Sequence, residues 1–212
     1  MAVPGVDVLV ATDDDRVVRA VERVGGTAYL TKATHATGTD RIAEVASSLD
    51  CEIVVNLQGD EPLVHPDTIQ SVIAPLIADP DLQMSTVCRA LTDQSDYLNP
   101  NVVKVVRDRH GNALYFSRSP IPHLRGPQPN VWKHYGLYGY RRACLLRLAA
   151  LAPTPLEQAE SLEQLRALEH GIRIHVAVTE HDSVGVDTSA DLERARRALD
   201  SRLPAGAGSP PS

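Results

Sequence analysis

The chain has 212 residues and a formal net charge of -6, with 43% apolar and 23% charged residues. This length suits one domain, or one domain with a small lobe, and the acidic balance argues against nucleic acid as the main partner. No apolar run is long enough to span a bilayer, and the amino terminus has no basic region before its short apolar stretch. We therefore predict a cytoplasmic protein without membrane insertion whose partners are small solutes.

The first half of the chain alternates between strand and helix patterns. Short apolar runs rich in β-branched residues predict strands over 6–12, 27–30, 52–57 and 84–91. Apolar residues at helical spacing predict helices over 15–24, 40–49 and 66–77. Because the connections are short, this order predicts an α/β fold with a mostly parallel sheet covered on both faces.

The second half of the chain begins with three strand patterns that have no obvious helices between them. They cover 102–108, 112–117 and 134–140, and they predict a small antiparallel lobe over about 102–140. A helix over about 155–170, a strand over 172–178 and a helix over 187–203 complete the fold. We predict a single domain over 1–203 and a disordered tail over 204–212.

The stretch "VVNLQGDEPLV" places polar residues where a buried strand ends. Ligands collect at the carboxyl ends of strands in such sheets, and Gly59 lets a ligand approach the backbone closely. Helix capping is a weak explanation for Asp60, because the next helix begins near Pro66. Mg²⁺ prefers carboxylate oxygens, so Asp60 is a candidate metal ligand.

A second carboxylate for the same metal is available at Asp187, after the strand over 172–178. A competing explanation is that Asp187, Thr188 or Ser189 is the N-cap of the last helix, with Asp191 or Glu193 completing a capping box. Spacing alone favours the cap.

Two further loops have residues suited to anions. In "THATGTDRIAE", hydroxyls, backbone amides and Arg41 can bind a base or a phosphate, although a plain N-cap explains Thr37 or Thr39 equally well. Asp13 ends the first strand and could face a nucleotide.

A sugar acid would suit the region around "YFSRSPIP" and "KHYGLYGYRR". Arg118 could bind its carboxylate and His134 its alcohols, while aromatic packing beside surface cations is an equal alternative. The other histidines show no metal-ligand spacing and are interpreted as structural or exposed; they are His35, His65, His110, His123, His170, His175 and His181.

Nine motifs in this order resemble the 3-deoxy-manno-octulosonate cytidylyltransferases, and the resemblance covers about residues 6–203. The motifs are "VATDDDRV", "HATGTDRIAE", "VVNLQGDEPLV", "NPNVVKVV", "ALYFSRSPIP", "HYGLYGYRR", "PLEQAESLEQLRAL", "IHVAV" and "GVDTSADLERAR".

The resemblance implies a reaction and a set of site residues. That family joins CTP to the sugar acid Kdo for lipopolysaccharide assembly, releasing pyrophosphate, on a Rossmann-like α/β fold, with Mg²⁺ and usually as a homodimer. Asp60 and Asp187 correspond to its metal-binding carboxylates. The segments that resemble the sugar-acid pocket contain Gln58, Arg118, His134, Tyr138, Glu163 and Gln164. The loops that resemble the nucleotide side contain Thr12, Asp13, Thr37, Gly38, Thr39 and Arg41.

The sequence departs from the family pattern ahead of residue 6. The family has a strand and then a triphosphate-binding loop of the type P-A-R-x-x-S-x-R-L-P-G-K-P-L, and five residues precede Val6 here. We expect either that the true start lies upstream or that the chain is a fragment with little catalytic activity. A cytidylyltransferase for another acidic sugar and a non-catalytic sugar-acid-binding or partner subunit are the alternatives.

Overall fold

The computed structural model describes residues 3–126, 130–182, 185–186 and 188–200. Asp187 and the predicted tail over 204–212 lie outside them. The strands are β1 (Leu9–Thr12), β2 (Thr27–Leu30), β3 (Ile53–Asn56), β4 (Met84–Ala90), β5 (Lys104–Arg107), β6 (Ala113–Ser117), β7 (Trp132–Arg141) and β8 (Ile174–Val178). The helices are α1 (Asp15–Arg23), α2 (Gly38–Ser47), α3 (Pro66–Ala78), α4 (Gln94–Leu98), α5 (Arg142–Ala149), α6 (Pro155–Glu160), α7 (Gln164–Glu169) and α8 (Ser189–Asp200).

The main sheet has six strands, in the order β6-β5-β7-β4-β8, with β3 also pairing with β7. β4 and β8 are parallel, whereas β3, β4 and β5 are each antiparallel to β7. Four of the six strands, β3, β4, β5 and β8, therefore run in one direction, which confirms the α/β prediction of mostly parallel strands. β7 is inserted among them in the opposite direction.

The antiparallel strands predicted over 102–140 are present, and they are joined to the main sheet. β5 pairs with both β6 and β7, and β7 continues into the centre of the sheet between β3 and β4. Gly139 explains why β7 fits there. A Cβ at this position would lie 2.7–2.8 Å from side-chain atoms of Ser85, Leu76 and Val72, so α3 packs directly on the β7 backbone.

β1 and β2 form a separate parallel pair of strands. Among the described residues neither strand is hydrogen-bonded to the six-stranded sheet, and β3 pairs only with β7. The helix between them, α1, has no buried residue, and Val8 and Leu30 are exposed by 78% and 58%. The predicted strand–helix–strand order is therefore confirmed here, without burial of the apolar side chains.

The single helix predicted over about 155–170 is wrong, because the chain forms α6 and α7 with a break between them. Ser161 has a left-handed backbone with φ 51°, and the N–H of Leu162 donates to the carbonyl of Glu157, which closes α6. At its start the N–H of Thr154 donates to the Glu157 carboxylate at 3.0 Å. Two short helices, α4 and α5, were not predicted.

A buried cluster fills the space between the main sheet, α5 and α7. Phe116, Leu145, Leu148, Leu165 and Ile174 belong to it, and each is exposed by 1% or less. Beside it, the guanidinium of Arg166 donates to the carboxylate of Glu157 at 2.8 Å, and both side chains are buried. No helix in the described part of the chain is long and apolar enough to cross a membrane.

Candidate active site

The loop after β3 presents polar side chains to solvent. Gln58, Gly59 and Asp60 are all exposed, and the N–H of Glu61 donates to the carbonyl of Gln58 at 3.1 Å in a tight turn. The N-cap of α3 is His65. Asp60 therefore has no capping role, as predicted, and its carboxylate is accessible to a cation.

A backbone hydrogen bond joins the Asp60 loop to the loop that leads into α8. The N–H of Val186 donates to the carbonyl of Asp60 at 2.8 Å. Asp187 lies outside the described residues, but it is the next residue of the chain after Val186. The Asp60 loop therefore lies beside the residue that precedes Asp187 in the chain.

The N-cap of α8 is Thr188. Its hydroxyl accepts from the N–H of Asp191 at 3.2 Å, and its own N–H donates to the Asp191 carboxylate at 2.9 Å, which is the reciprocal pattern of a capping box. Of the three capping candidates that the sequence left open, the helix uses Thr188. The cap thus does not require Asp187.

The predicted nucleotide-side residues form two small networks. Thr37 caps α2 in a capping box with Asp40, so the plain capping explanation holds for Thr37. The guanidinium of Arg41 donates to the Asp13 carboxylate at 3.0 Å and to the Thr31 hydroxyl at 2.6 Å. Because Asp13 follows β1 and Thr31 follows β2, Arg41 holds the ends of this strand pair against α2.

The backbone of the strand pair continues this arrangement. The N–H of Thr31 donates to the carbonyl of Thr12, whose buried hydroxyl accepts from the N–H of Asp14 at 3.1 Å. Nearby, a Cβ at Gly38 would lie 3.9 Å from the Gln58 amide nitrogen. The amino end of α2 and the Gln58 loop are therefore neighbours.

Glu163 connects the predicted nucleotide side with the predicted sugar-acid pocket. The Thr37 hydroxyl donates to one oxygen of its carboxylate at 3.0 Å, and the Thr39 hydroxyl donates to the other at 2.8 Å. Arg166 lies 3.8 Å away. Gln164, the next residue, is buried at the start of α7. Residues assigned to two different substrates by resemblance thus meet at one carboxylate.

His134 and Tyr138 lie together on β7, and both are held in their neutral forms. Burial lowers the pKa of His134 to about 3, and its Nε2 lies 2.9 Å from the Thr86 hydroxyl. Burial, with Tyr140 and Glu163 nearby, raises the pKa of Tyr138 well above its ordinary value. The centroids of the two rings are 5.5 Å apart. Because of their shifted pKa values, the two side chains offer neutral hydrogen-bonding groups rather than charges.

The guanidinium of Arg118 is hydrogen-bonded to backbone carbonyls of the protein. Its guanidinium donates to the carbonyls of Glu160, Pro100 and Ser161 at 2.8, 3.1 and 3.3 Å. Its backbone N–H and the Ser117 hydroxyl both donate to the Glu160 carboxylate. This arrangement fixes the start of the loop after β6. The expectation that Arg118 binds a sugar carboxylate stays a prediction.

Sequence reasoning did not identify Thr31 and Thr86, which hold Arg41 and His134. Each contact joins parts of the chain that are brought together only by strand pairing or helix packing, and no local pattern marks either threonine. Both are buried, at 7% and 0% exposed, and a buried hydroxyl needs a hydrogen-bond partner. Burial in the folded protein is therefore the property that identifies them.

Several known proteins are similar to this chain over most of its length. The family model described as "Cytidylyltransferase" matches residues 4–174. A 3-deoxy-manno-octulosonate cytidylyltransferase of Geobacter metallireducens is 52% identical over 200 residues, covering 89% of this chain and 79% of the relative. The chain belongs to the 3-deoxy-manno-octulosonate cytidylyltransferase family. The resemblance predicted from the nine motifs is thereby confirmed.

Two further relatives agree with this membership. The enzyme of the same name from Pelobacter propionicus is 51% identical over 210 residues, covering 92% of this chain and 82% of the relative. The solved structure of a CMP:2-keto-3-deoxy-manno-octonic acid synthetase complexed with CTP superposes with a TM-score of 0.89 at 42% identity. The superposition covers 93% of the present chain and 82% of the chain of that synthetase. The Rossmann-like nucleotidyltransferase fold follows for this family member.

Proposed function

We propose that the chain transfers CMP from CTP to the anomeric hydroxyl of Kdo, giving CMP-Kdo and pyrophosphate. The new bond joins the anomeric oxygen to the α-phosphorus, the α–β phosphoanhydride breaks, and the hydroxyl proton leaves to water. Besides the family membership, one structural observation supports the proposal best. It is the 2.8 Å hydrogen bond from the N–H of Val186 to the carbonyl of Asp60. It brings the Asp60 loop beside the segment that leads into Asp187.

The residues of these two loops suit one Mg²⁺ ion. Asp60 offers hard carboxylate oxygens, its side chain is exposed, and it is not used as a helix cap. We propose Asp60 and Asp187 as the metal ligands. The ion would neutralise phosphate charge and would help to hold the anomeric hydroxyl in line with the α-phosphorus.

The remaining predicted residues would bind and orient the two substrates around this point. Gln58 and the Glu163 carboxylate lie beside the amino end of α2, where the Thr37 and Thr39 hydroxyls are already fixed in direction. We propose that Thr12, Asp13, Gly38 and Arg41 line the nucleotide side. His134 and Tyr138, being neutral, would bind sugar hydroxyls, with Gln164 and Arg118 supporting that pocket.

Pyrophosphate release from CTP, Kdo and MgCl₂ tests the proposal. Since a metal contributes several kcal/mol of transition-state stabilisation, Asp60→Asn and Asp187→Asn should each lower kcat/KM about a hundredfold or more. Asp50→Asn, at an exposed aspartate of the connection between α2 and β3, is the matched control and should retain activity. Kdo binding without pyrophosphate release by the unaltered chain would instead indicate a sugar-acid-binding protein.

A panel of acidic sugars tests the acceptor. Kdo should give the highest kcat/KM, and faster turnover of a sialic acid or of an amino-substituted Kdo would overturn the assignment.

We also propose that the protein acts as a homodimer in the cytoplasm, in lipopolysaccharide biosynthesis. The support is the family membership and the use of CTP, a nucleotide of the cytosol. Light scattering during size-exclusion chromatography should give about twice the chain mass of 22.9 kDa. A monomeric mass at the concentration used for the assay would contradict the homodimer.

A further inference from the structure

Two histidines that the sequence analysis interpreted as structural or exposed meet close to the candidate active site. His65 follows the Asp60 loop and caps α3, and His181 follows β8. Their rings stack with centroids 3.7 Å apart and an angle of 15° between the planes. Asp67, in the first turn of α3, lies against both. One nitrogen of each ring and one carboxylate oxygen are all within 4.8 Å of one another.

Two distances within this group are close to the edge length of a tetrahedral metal site. The Asp67 oxygen Oδ2 is 3.4 Å from His65 Nδ1 and 3.5 Å from His181 Nε2. With metal–ligand bonds of about 2.0–2.1 Å, two ligands at the tetrahedral angle are about 3.3 Å apart. Both contacts are therefore long for hydrogen bonds and close to the spacing of two ligands of one ion. Because the two rings are nearly parallel, the half-exposed His181 ring has to turn before the lone pairs of both nitrogens point at that ion.

The backbone around the group is held in place by buried threonines. The hydroxyls of Thr68 and Thr179 are 2.9 Å apart, which ties the start of α3 to the end of β8. The Thr179 hydroxyl also lies 3.2 Å from the N–H of His181, as its acceptor. The two segments that present the histidines are thus fixed relative to each other before any ion binds. Fixed backbone of this kind is what orients metal ligands.

We propose that His65, Asp67 and His181 form a binding site for one transition-metal ion of the Zn²⁺ type, separate from the Mg²⁺ site. Imidazole nitrogens suit Zn²⁺, Co²⁺ and Ni²⁺ and are poor ligands for Mg²⁺. Water completes the coordination on the exposed side. Asp182 lines the same pocket but is already paired with Arg89 and with the Tyr135 hydroxyl, so Asp67 is the carboxylate ligand.

The ion would tie together the two loops that present the candidate catalytic carboxylates. His65 lies five residues after Asp60, and His181 lies six residues before Asp187. Binding at this site would therefore stabilise the pairing of the loops that the Val186–Asp60 hydrogen bond already makes.

Metal content of the purified chain tests the proposal without reference to turnover. After incubation with equimolar Zn²⁺ in millimolar Mg²⁺ and desalting, the unaltered chain should retain one Zn²⁺, and Co²⁺ should give the absorption of a tetrahedral site. His181→Gln and Asp67→Asn should each weaken Zn²⁺ binding about tenfold or more, since even changes to residues around metal ligands cost about 10–100-fold. Circular dichroism confirms that both variants are folded.

Two controls separate this site from other sources of binding. His170→Gln, at the exposed carboxyl end of α7, should bind Zn²⁺ as the unaltered chain does. Asp60→Asn should also retain Zn²⁺, so that a failure of the proposed reaction and a failure of this site remain distinguishable. Absence of Zn²⁺ binding, undiminished binding by His181→Gln, or loss of binding in Asp60→Asn would each overturn the proposal.

Discussion

The unit formed by β1, α1 and β2 and the six-stranded sheet follow the same sequence pattern but bury their side chains very differently. α1 has no buried residue, and three of the four residues of β2 are exposed. In β4, which lies between β7 and β8, the first five residues are all buried. The pattern of apolar spacing therefore predicts which element forms, while the neighbours of that element decide how much it contributes to stability.

The largest effect is expected where a charge is buried beside the six-stranded sheet. Arg166→Leu leaves the Glu157 carboxylate without its guanidinium in a buried position. Breaking such a pair by removing one partner costs about 3–5 kcal/mol of unfolding free energy. Urea unfolding at pH 7 measures it. Arg16→Leu removes the exposed Asp14–Arg16 pair at the start of α1 and should leave the urea midpoint unchanged. Equal losses in the two variants would contradict the contrast.

An apolar truncation in the same cluster should be the next largest. Leu165 is completely buried, so Leu165→Ala loses transfer free energy and leaves a cavity, at a cost of about 2–5 kcal/mol. The urea midpoint should fall while the m-value stays constant. A loss below about 1 kcal/mol would show that the site collapses around the smaller side chain.

The pH dependence of stability should report the burial of His134. Its folded pKa of about 3 lies below the ordinary value of 6.5, so between these values the unfolded chain binds a proton that the folded chain does not. Stability is therefore complete above pH 6.5 and falls with decreasing pH by about 1.4 kcal/mol per unit from this group. The difference in unfolding free energy between His134→Gln and the unaltered chain should shrink as the pH falls from 6.5 to 4.5. A constant difference would show that His134 takes up its proton while folded.

The smallest effect is expected from an apolar truncation in the β1–α1–β2 unit. Val17 in α1 is 38% exposed, and Val17→Ala should change the unfolding free energy by no more than about 0.5 kcal/mol. Alanine also has the higher helix propensity, which offsets part of the lost contact. A loss comparable with that of Leu165→Ala would mean that this face is covered in solution.

Much of the fold could be predicted because its signals are local. The helix start at Pro66 and the whole of β2 agree with the predicted bounds, since a proline at N1 and a short apolar run identify them without reference to the rest of the chain. The break at Ser161 could not be found in this way. A left-handed serine between two good helical segments is stabilised by the bond from Leu162 to Glu157 and by the buried pair that Glu157 makes with Arg166.

The position of β7 required tertiary information. Its alternation of aromatic residues and glycine predicts a strand, but not one inserted between β3 and β4. That placement depends on Gly139, whose lack of a side chain matters only because α3 crosses at that point.

The residues of the candidate site also fall into those that local sequence predicts and those that need tertiary information. The uncapped position of Asp60 could be predicted, because the residue is too far from the helix that begins at Pro66 to cap it. The link from Glu163 to Thr37 and Thr39 joins distant parts of the chain, and so does the stacking of His65 on His181. Spacing along the sequence contains no information on such pairs.

The hydrogen bond between Val186 and Asp60 has an evolutionary consequence, because both of its atoms belong to the main chain. Every amino acid except proline supplies the same donor at position 186, and any residue at all supplies the acceptor at position 60. A change of side chain at either position therefore leaves the two loops paired, whatever it does to metal binding at Asp60. An insertion or deletion in one of the connections would separate them, so tolerance to changes in loop length should be lowest there.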